Sequence, residues 1–387
     1  MDAVNPQEVG MDPGALERFR DAARRAVADN CMYGGSFLIA RHGKLVLNEA
    51  FGHVGSGSSR EARIDDVYCI LSTTKPITAT AVFIMAERGL LRLSDRVSEH
   101  IPEFANGGKD KVTVAQVLTH RSGFATMPGD WFPPMWADWD ATIQRLCYMP
   151  IEHAPGGSVH YHAVTGSWIL AEIVRRVDGL GRNFAEIVAD LIYRPLKMAD
   201  SGLLPDPDWA NRRVAISAID QGGVPFPMEF LQMLDLPELD QAIIPGARSF
   251  TTTADLAQFY QLWLNGGTMA GERVLSPATV RLATTLHTGD QRDCLLDQMF
   301  MANDLDPIPA NRGLSWFLRG SGLETNHFGS LASADTFGHA GASSIMAWAD
   351  PQRELVFIGL TAGLVHESRN IPRWHLLSDL AQAAVVE

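Results

Sequence analysis

Hydrophobic and polar positions in the first fifty residues follow two different periods. Residues 12–29 carry apolar side chains at helical spacing behind a proline, which predicts an amphipathic helix. Residues 35–41 and 44–51 predict two strands joined by a tight turn at His42-Gly43. Two adjacent antiparallel strands so early in the chain argue against a dinucleotide-binding fold, which opens with a strand, a glycine-rich loop and a helix.

The middle of the chain is mostly helical by the same criterion. Apolar residues at helical spacing predict helices at residues 77–91, 163–177 and 184–193, and a short helix closed by glycine at 112–123. Residues 75–200 therefore form a helical part that follows the early strand pair.

Regular patterning returns in the last third, after an irregular stretch rich in proline, glycine and aspartate. A capped helix is predicted at residues 253–264, and a second helix opens at Ser276-Pro277. Strand-like runs at 338–349 and 354–361 follow, joined by a turn, and a helix from about residue 374 closes the chain.

Composition narrows the possible partners. The chain has 387 residues, 46% of them hydrophobic, which is enough for a sizeable core, and a formal net charge of -13. This charge disfavours nucleic acid and anionic membranes as partners, because both attract basic surfaces. The first six residues lack the features of a signal peptide and no later segment is long enough to span a bilayer, so the sequence predicts a cytoplasmic protein.

A serine and a lysine stand at the start of the first buried helix. An apolar run stops at Ser72, and Lys75 follows three residues later, so the two side chains would face each other across one helical turn. This places a nucleophile beside a possible base, near free backbone amides that favour a developing oxyanion. The alternative is chance, since a Ser-x-x-Lys pattern is expected about once in a chain of this size.

The lysine is the more informative half of this pair. The chain contains only five lysines, and Lys75 alone leads from an apolar strand into an apolar helix. Burial there would remove hydration from the ammonium and lower its pKa, which a general base at neutral pH requires.

Aromatic residues cluster in an irregular segment around two adjacent prolines. Trp131, Phe132, Trp136 and Trp139 could wall an apolar substrate pocket or simply cap the core.

Three histidines offer further candidate chemistry. His120 is either a catalytic base or a helix-end residue that hydrogen-bonds to backbone carbonyls. His160 and His162 could present two imidazoles to a metal, but no third ligand lies near them. The sequence therefore predicts no metal and no cofactor.

Other hydrolase and nucleotide-binding signatures are missing from the sequence. No serine has glycine two residues before and two residues after it, which argues against an α/β-hydrolase. The His-Glu-x-x-His, Walker A and EF-hand patterns are also absent.

Five runs in order along the chain resemble those of the serine β-lactamase and penicillin-binding-protein superfamily. The closest likeness is to its class C β-lactamase-like branch, which includes family VIII-type carboxylesterases and related acyltransferases. The matching runs are 71–79, 118–123, 155–161, 193–198 and 337–341. They extend over about residues 30–365.

This resemblance implies an α+β fold. An antiparallel sheet formed by both chain ends and flanked by helices would comprise residues 1–74 and 245–387, and residues 75–244 would form a mainly helical domain. The active site would lie between the two.

The resemblance also implies roles for individual residues. Ser72 would be the acylated nucleophile, and Lys75 and Tyr161 would share general-base and general-acid work, with the ammonium lowering the pKa of the phenol. The oxyanion would bind the backbone amides of Ser72 and Ala342, just after His339-Ala340-Gly341, a run that would also contact substrate.

Two departures from the family pattern bear on the substrate. Tyr161-His162-Ala163 stands where the β-lactamases have Tyr-x-Asn, and His339-Ala340-Gly341 stands where they have Lys-Thr-Gly. The first change removes the side-chain amide that would hold a substrate amide group. The second replaces a fixed cation by an imidazole that is mostly neutral at pH 7, so both changes weaken recognition of a β-lactam or a D-Ala-D-Ala end.

The sequence therefore predicts a serine hydrolase that cleaves a small-molecule carboxylic ester through an acyl-enzyme on Ser72. Three alternatives stay open. They are an acyltransferase that uses a small alcohol or amine, an amide hydrolase of the β-lactamase or D-aminopeptidase type, and a binding module that keeps the fold without turnover.

Overall fold

The computed structural model describes residues 1–126, 131–223, 225–269 and 271–386. The strands are β1 (Gly34–Arg41), β2 (Lys44–Gly52), β3 (Val67–Cys69), β4 (Arg213–Val214), β5 (Phe250–Thr251), β6 (Thr268–Met269), β7 (Glu272–Arg273), β8 (Phe317–Leu318), β9 (Phe337–Gly341), β10 (Ile345–Asp350) and β11 (Leu355–Ala362). The α-helices are α1 (Pro13–Ala28), α2 (Lys75–Glu87), α3 (Val97–His100), α4 (Val114–Leu118), α5 (Trp139–Tyr148), α6 (Thr165–Asp178), α7 (Phe184–Val188), α8 (Met228–Gln232), α9 (Thr253–Leu264), α10 (Pro277–Ala283), α11 (Cys294–Ala302) and α12 (Glu367–Ala383).

Strands from both ends of the chain form one six-stranded antiparallel sheet in the order β2-β1-β11-β10-β9-β8. Strand β1 pairs with β11 along its whole length, from Gly34 opposite Ala362 to Arg41 opposite Leu355. Both strands are buried on both faces, which explains their nearly continuous apolar sequences. The predicted antiparallel sheet built from both chain ends and flanked by helices is confirmed.

Helices cover the two faces of this sheet. Helices α1 and α12 lie on one face, where Phe19 contacts Phe37 and Phe357 edge to face at centroid distances of 5.8 and 6.0 Å. Helix α9 lies against β1, β10 and β11. The sheet therefore lies between two apolar layers, and β9 lies near one edge, beside the two-residue edge strand β8.

The helical part packs on the same core. Helix α2 is buried along nearly its whole length and packs against α6, and one cluster of buried apolar side chains runs from the sheet into both helices. All strands of the six-stranded sheet lie outside residues 75–244. The boundaries given for the two domains remain a prediction, since the two parts share a core.

Three predicted elements differ from the structure. The strand predicted at 338–349 is two strands, β9 and β10, separated by a turn in which Ser343 has a φ of +62°. The closing helix begins at Glu367 and not near residue 374, and it contains Pro372. Ile371 and Trp374, on either side of this proline, are buried. The helix predicted at 77–91 spans Lys75–Glu87.

Among the described residues, no helix combines the length and the apolar composition that crossing a bilayer requires. The cytoplasmic location remains a prediction.

The packing of α12 on the sheet gives a stability prediction. A Cβ added at Gly359 in β11 would lie 2.5 Å from the Trp374 ring, so G359A must displace a buried indole. We expect G359A to lower the free energy of unfolding by about 1–3 kcal/mol, as overpacking does. G14A in α1 is the matched control, since its Cβ meets only ordinary contacts at 3.4 Å or more. Urea midpoints measure both, and equal midpoints would contradict the packing described here.

Candidate active site

Ser72 lies in a tight turn between the small strand β3 and helix α2. The Ile70 N–H donates to Ser249 O at 2.8 Å, and Leu71, next in the chain, has a φ of +47°. A left-handed conformation in a leucine costs about 1–3 kcal/mol and is kept only where packing fixes it, as the full burial of the Leu71 side chain does here. The strained turn places partly exposed Ser72 in the wall of a cavity, one residue after Leu71.

Lys75 is the first residue of α2 and is 2% exposed. Its Nζ lies 2.7 Å from Ala163 O, 2.8 Å from Gly246 O and 3.0 Å from Ser72 Oγ. Burial lowers the pKa of the Lys75 amine well below its usual value, and the positive charge of Arg312 lowers it further. The neutral amine is therefore favoured.

The three neighbours of Lys75 Nζ determine the orientation of that amine. Carbonyl oxygens only accept hydrogen bonds, so the two N–H groups of a neutral amine are used by Ala163 O and Gly246 O. The remaining lone pair then faces Ser72 Oγ, and the Ser72 hydroxyl donates to it. This is the arrangement that a general base requires before it removes the proton.

Tyr161 completes the group. Its ring centroid lies 4.9 Å from Lys75 Nζ, and its backbone N–H donates to Asp293 Oδ1 at 3.2 Å. Burial raises the pKa of the Tyr161 phenol, and its hydrogen bond with Ser72 acts in the opposite direction. The expected lowering of the phenol pKa by Lys75 is therefore wrong, because burial outweighs the groups that lower this pKa, and the phenol is protonated at neutral pH.

Strand β9 closes the site beside Ser72. Thr73 Oγ1 donates to His339 O at 3.2 Å, and a Cβ at Gly341 would lie 2.6 Å from Ile70 O. Only glycine permits this close approach of the two segments. Ser72, Gly341 and Ala342 all line the same cavity, as the predicted oxyanion site requires, and that role remains a prediction.

The imidazole of His339 is not in the cavity wall. It is 1% exposed, and its Nδ1 lies 2.7 Å from Ala340 O, to which it donates. Burial lowers the pKa of His339 well below its usual value. The side chain is thus neutral and behind the surface, while the backbone of residues 340–342 faces the cavity.

The other candidate histidines have structural partners. His120 Nδ1 accepts a hydrogen bond from the His162 backbone N–H at 3.0 Å. This bond matches neither predicted role of His120, and it holds the segment that carries Tyr161. His160 Nε2 lies 2.9 Å from Ser158 Oγ, and His162 Nε2 lies 2.9 Å from Ser122 Oγ. These two imidazoles therefore have separate partners and do not converge on one point.

Three charged residues of the site were not found from the sequence. Arg312 is 2% exposed, pairs with Asp293 at 2.9 Å and lies 5.8 Å from the Tyr161 ring centroid. Glu367, at the start of α12, lines the cavity with them. Each is separated from Ser72 by more than two hundred residues and belongs to no local motif, so only the folded chain brings them together.

The cavity beside Ser72 and Tyr161 has a largely apolar wall. The apolar lining includes Phe226, Met228, Leu296, Met299, Phe300 and Phe317. The polar and charged residues of the lining include Asp293, Arg312 and Glu367. The site thus combines a nucleophile with an apolar binding surface.

The predicted aromatic wall lies elsewhere. Trp131 and Trp136 are buried against each other at a centroid distance of 5.3 Å, and Trp139 packs on Trp168 at 4.7 Å. Phe132 is 43% exposed. Among the described residues, the cavity is lined by none of the four predicted aromatics, so the core-capping alternative fits and the predicted pocket wall is corrected. Residues 127–130 of this segment lie outside the described residues.

Comparisons with known proteins identify the family of this chain. A family model described as beta-lactamase matches residues 19–382. Esterase EstB of Burkholderia gladioli is 28% identical over 254 residues, a match that covers 61% of this chain and 62% of that esterase. A putative D-alanyl-D-alanine carboxypeptidase of Escherichia coli is 25% identical, covering 84% of this chain and 77% of that protein.

Solved structures show the same fold. A penicillin-binding protein homologue from Caulobacter crescentus superimposes with a TM-score of 0.81 at 25% identity, covering 97% of this chain and 99% of that one. A family VIII carboxylesterase superimposes with a TM-score of 0.79 at 25% identity, covering 97% and 98% of the two chains. The protein described here belongs to the beta-lactamase family, within the superfamily that it shares with penicillin-binding proteins and family VIII carboxylesterases.

Proposed function

We propose that the protein is a serine esterase that cleaves a carboxylic ester through an acyl-enzyme on Ser72. The observation that carries this proposal is the 3.0 Å contact between Ser72 Oγ and a buried amine whose two other neighbours are carbonyl oxygens. A hydroxyl so placed is activated without a histidine or a metal ion.

Acylation begins when the Lys75 lone pair takes the Ser72 proton as Oγ attacks the ester carbonyl. The carbonyl oxygen becomes an anion, which the backbone amides of Ser72 and Ala342 stabilise. The C–O bond to the alcohol then breaks, and the departing oxygen takes a proton from the Tyr161 phenol or the Lys75 ammonium. When the phenol is the donor, the Lys75 ammonium returns a proton to the phenolate, so both routes leave Lys75 neutral before deacylation. Because burial keeps Tyr161 protonated, it is a proton donor in the resting site.

Deacylation repeats these steps with water. Water loses a proton to the Lys75 amine and attacks the acyl carbon, and Ser72 leaves with the proton returned by Lys75. The amine regains its neutral state at the end of the cycle.

Three features favour an ester over a β-lactam or a peptide end. His339 is neutral and buried, so it offers no cation to a substrate carboxylate. Ala163 contributes its carbonyl to Lys75 rather than a side-chain amide to the substrate. The wall around the site is largely apolar, and one of the relatives is an esterase.

An acyl-enzyme should be directly detectable. We expect intact-mass spectra taken after exposure to p-nitrophenyl esters to show an added acyl group on Ser72, and S72A to show neither adduct nor turnover. S94A, at an exposed serine, is the matched control and should behave as the wild type. Adducts formed only with β-lactams would favour the amide-hydrolase alternative, and a folded protein that no ester, β-lactam or acyl thioester labels would favour the binding module.

The protonation state of Lys75 predicts the pH dependence. Protonation consumes the lone pair that faces Ser72, so kcat/KM should fall as the pH drops through the lowered pKa of Lys75 and should stay high above it. K75R, whose guanidinium stays charged, should be inactive throughout, whereas K111R at an exposed lysine should keep the wild-type profile. Activity that appears only at the pH where an ordinary lysine loses its proton would contradict a buried neutral base.

The apolar cavity also gives acyl transfer a physical basis, because an alcohol bound there would compete with water. The esterase proposal predicts that free acid remains the product when benzyl alcohol or a primary amine is added. Quantifying the free acid and the transfer product from one p-nitrophenyl ester, at increasing acceptor concentration, measures how the acyl group divides between water and the acceptor. A saturable rise of the transfer product at the expense of free acid would replace hydrolysis by the acyltransferase alternative.

A further inference from the structure

The turn between β9 and β10 holds an uncommon backbone conformation next to the site. Ala342 and Ser343 both line the cavity, and Ser343 has a φ of +62°, in the left-handed region that glycine tolerates best. The Ser344 N–H donates to Gly341 O at 3.3 Å, and the Val365 N–H donates to Ser343 O at 3.2 Å. These two backbone bonds leave the Ser343 N–H and hydroxyl to be satisfied by another group.

That group is the carboxylate of Glu367, the first residue of α12. Its Oε1 accepts from the Ser343 N–H at 3.0 Å and from Ser343 Oγ at 3.2 Å, and its Oε2 accepts from Asn370 Nδ2 at 2.8 Å. His327 Nε2 lies 3.8 Å from Oε2. Glu367 is 8% exposed. Burial alone would raise the pKa of this carboxyl group, but the bonds from His327, Asn370 and Ser343 lower it, so the anion is the native form.

A buried carboxylate is costly to desolvate, and both oxygens of this one accept hydrogen bonds. The negative charge at the beginning of a helix offsets part of that cost. The residue it fixes most directly is Ser343, whose backbone position follows Ala342 in the same turn.

We propose that Glu367 is a positioning residue, which holds the turn of residues 342–344 in its left-handed form and thereby aims the Ala342 N–H at the oxyanion. The inference rests on the proposed esterase function. Loss of the carboxylate would free Ser343 to relax toward negative φ, which would turn the 342–343 peptide and, through Ala342, displace the Ala342 N–H. Binding of the uncharged ester would change little, because that donor matters most once the oxygen is an anion.

The E367Q variant tests this role. A glutamine oxygen can accept from Ser343, but its amide then faces the donating amide of Asn370, so one of the two bonds is lost. We expect kcat on a p-nitrophenyl ester to fall at least about tenfold with KM changed less than about threefold, in the direction seen when oxyanion donors are removed. E354Q, at an exposed glutamate, is the matched control and should keep wild-type kinetics.

Inhibition by phenylboronic acid distinguishes a positioning role from a purely structural one. This acid forms a tetrahedral anionic adduct with an active serine and so needs the same donors as the reacting ester. Its Ki should rise in E367Q by about the factor by which kcat/KM falls. E367Q/S343G should regain much of the rate lost in E367Q, because glycine adopts φ near +60° without help, and S343G alone is measured as the reference for the double variant.

The outcomes separate the two proposals. An unchanged kcat in folded E367Q, a loss confined to KM, an unchanged boronate Ki or no recovery in E367Q/S343G would overturn the positioning role. If E367Q does not fold, E367D with its shorter carboxylate gives the same comparison. A wild-type protein that hydrolyses no ester would contradict the proposed function instead, and the boronate Ki ratio would still decide the role of Glu367.

Discussion

The burial of one amine organises this site. Lys75 enters the core at the first turn of α2 with no carboxylate among its three hydrogen-bond partners. Its two carbonyl partners, Ala163 and Gly246, lie in segments just before α6 and just before β5, so the amine joins two segments that are distant in the sequence. Since an unpaired ammonium is expensive to bury, the same packing that completes the core favours the neutral form of this lysine.

The six-stranded sheet contributes the strand that lies beside the nucleophile. Its pairing of both chain ends brings β9 against the turn that carries Ser72, and the contact is close enough that Gly341 admits no side chain. The oxyanion site therefore depends on long-range strand order as well as on the local turn. The charges that remain near the nucleophile, Arg312 with Asp293 and Glu367 with its donors, are all held in fixed hydrogen bonds. Such a site is preorganised before substrate arrives.

Local patterns in the sequence were sufficient for much of this architecture. The early hairpin, α6 and α9 follow from periodicity within a few residues, and the Ser72–Lys75 pair follows from helical spacing. The convergence of Tyr161 came only from the resemblance, because its contacts with Lys75 and Asp293 are tertiary. The turn at 342–344 was missed because no glycine or proline marks it at Ser343, where a distant carboxylate stabilises the left-handed conformation.

The aromatic segment and the phenol pKa show a second limit of sequence reasoning. Side chains such as Trp131 and Trp139 fit a pocket wall and a core cap equally well by composition, and only their packing distinguishes the two. The pKa of Tyr161 was expected to fall because Lys75 was treated as charged, whereas the balance depends on how much water the fold excludes from both groups. The burial of Lys75 and Tyr161 is a property of the assembled core, so it cannot be deduced from the local sequence around either residue.

The most direct test of a neutral, buried Lys75 amine is an NMR titration of the lysine side chains in the folded protein. With only five lysines, 13C-labelled side-chain Cε resonances are few enough to assign, and K75R identifies the one of interest. We expect the Lys75 resonance to have the chemical shift of a neutral amine at pH 7 and to take that of an ammonium only at lower pH. A Lys75 side chain that is still protonated at pH 7 would contradict a buried neutral base.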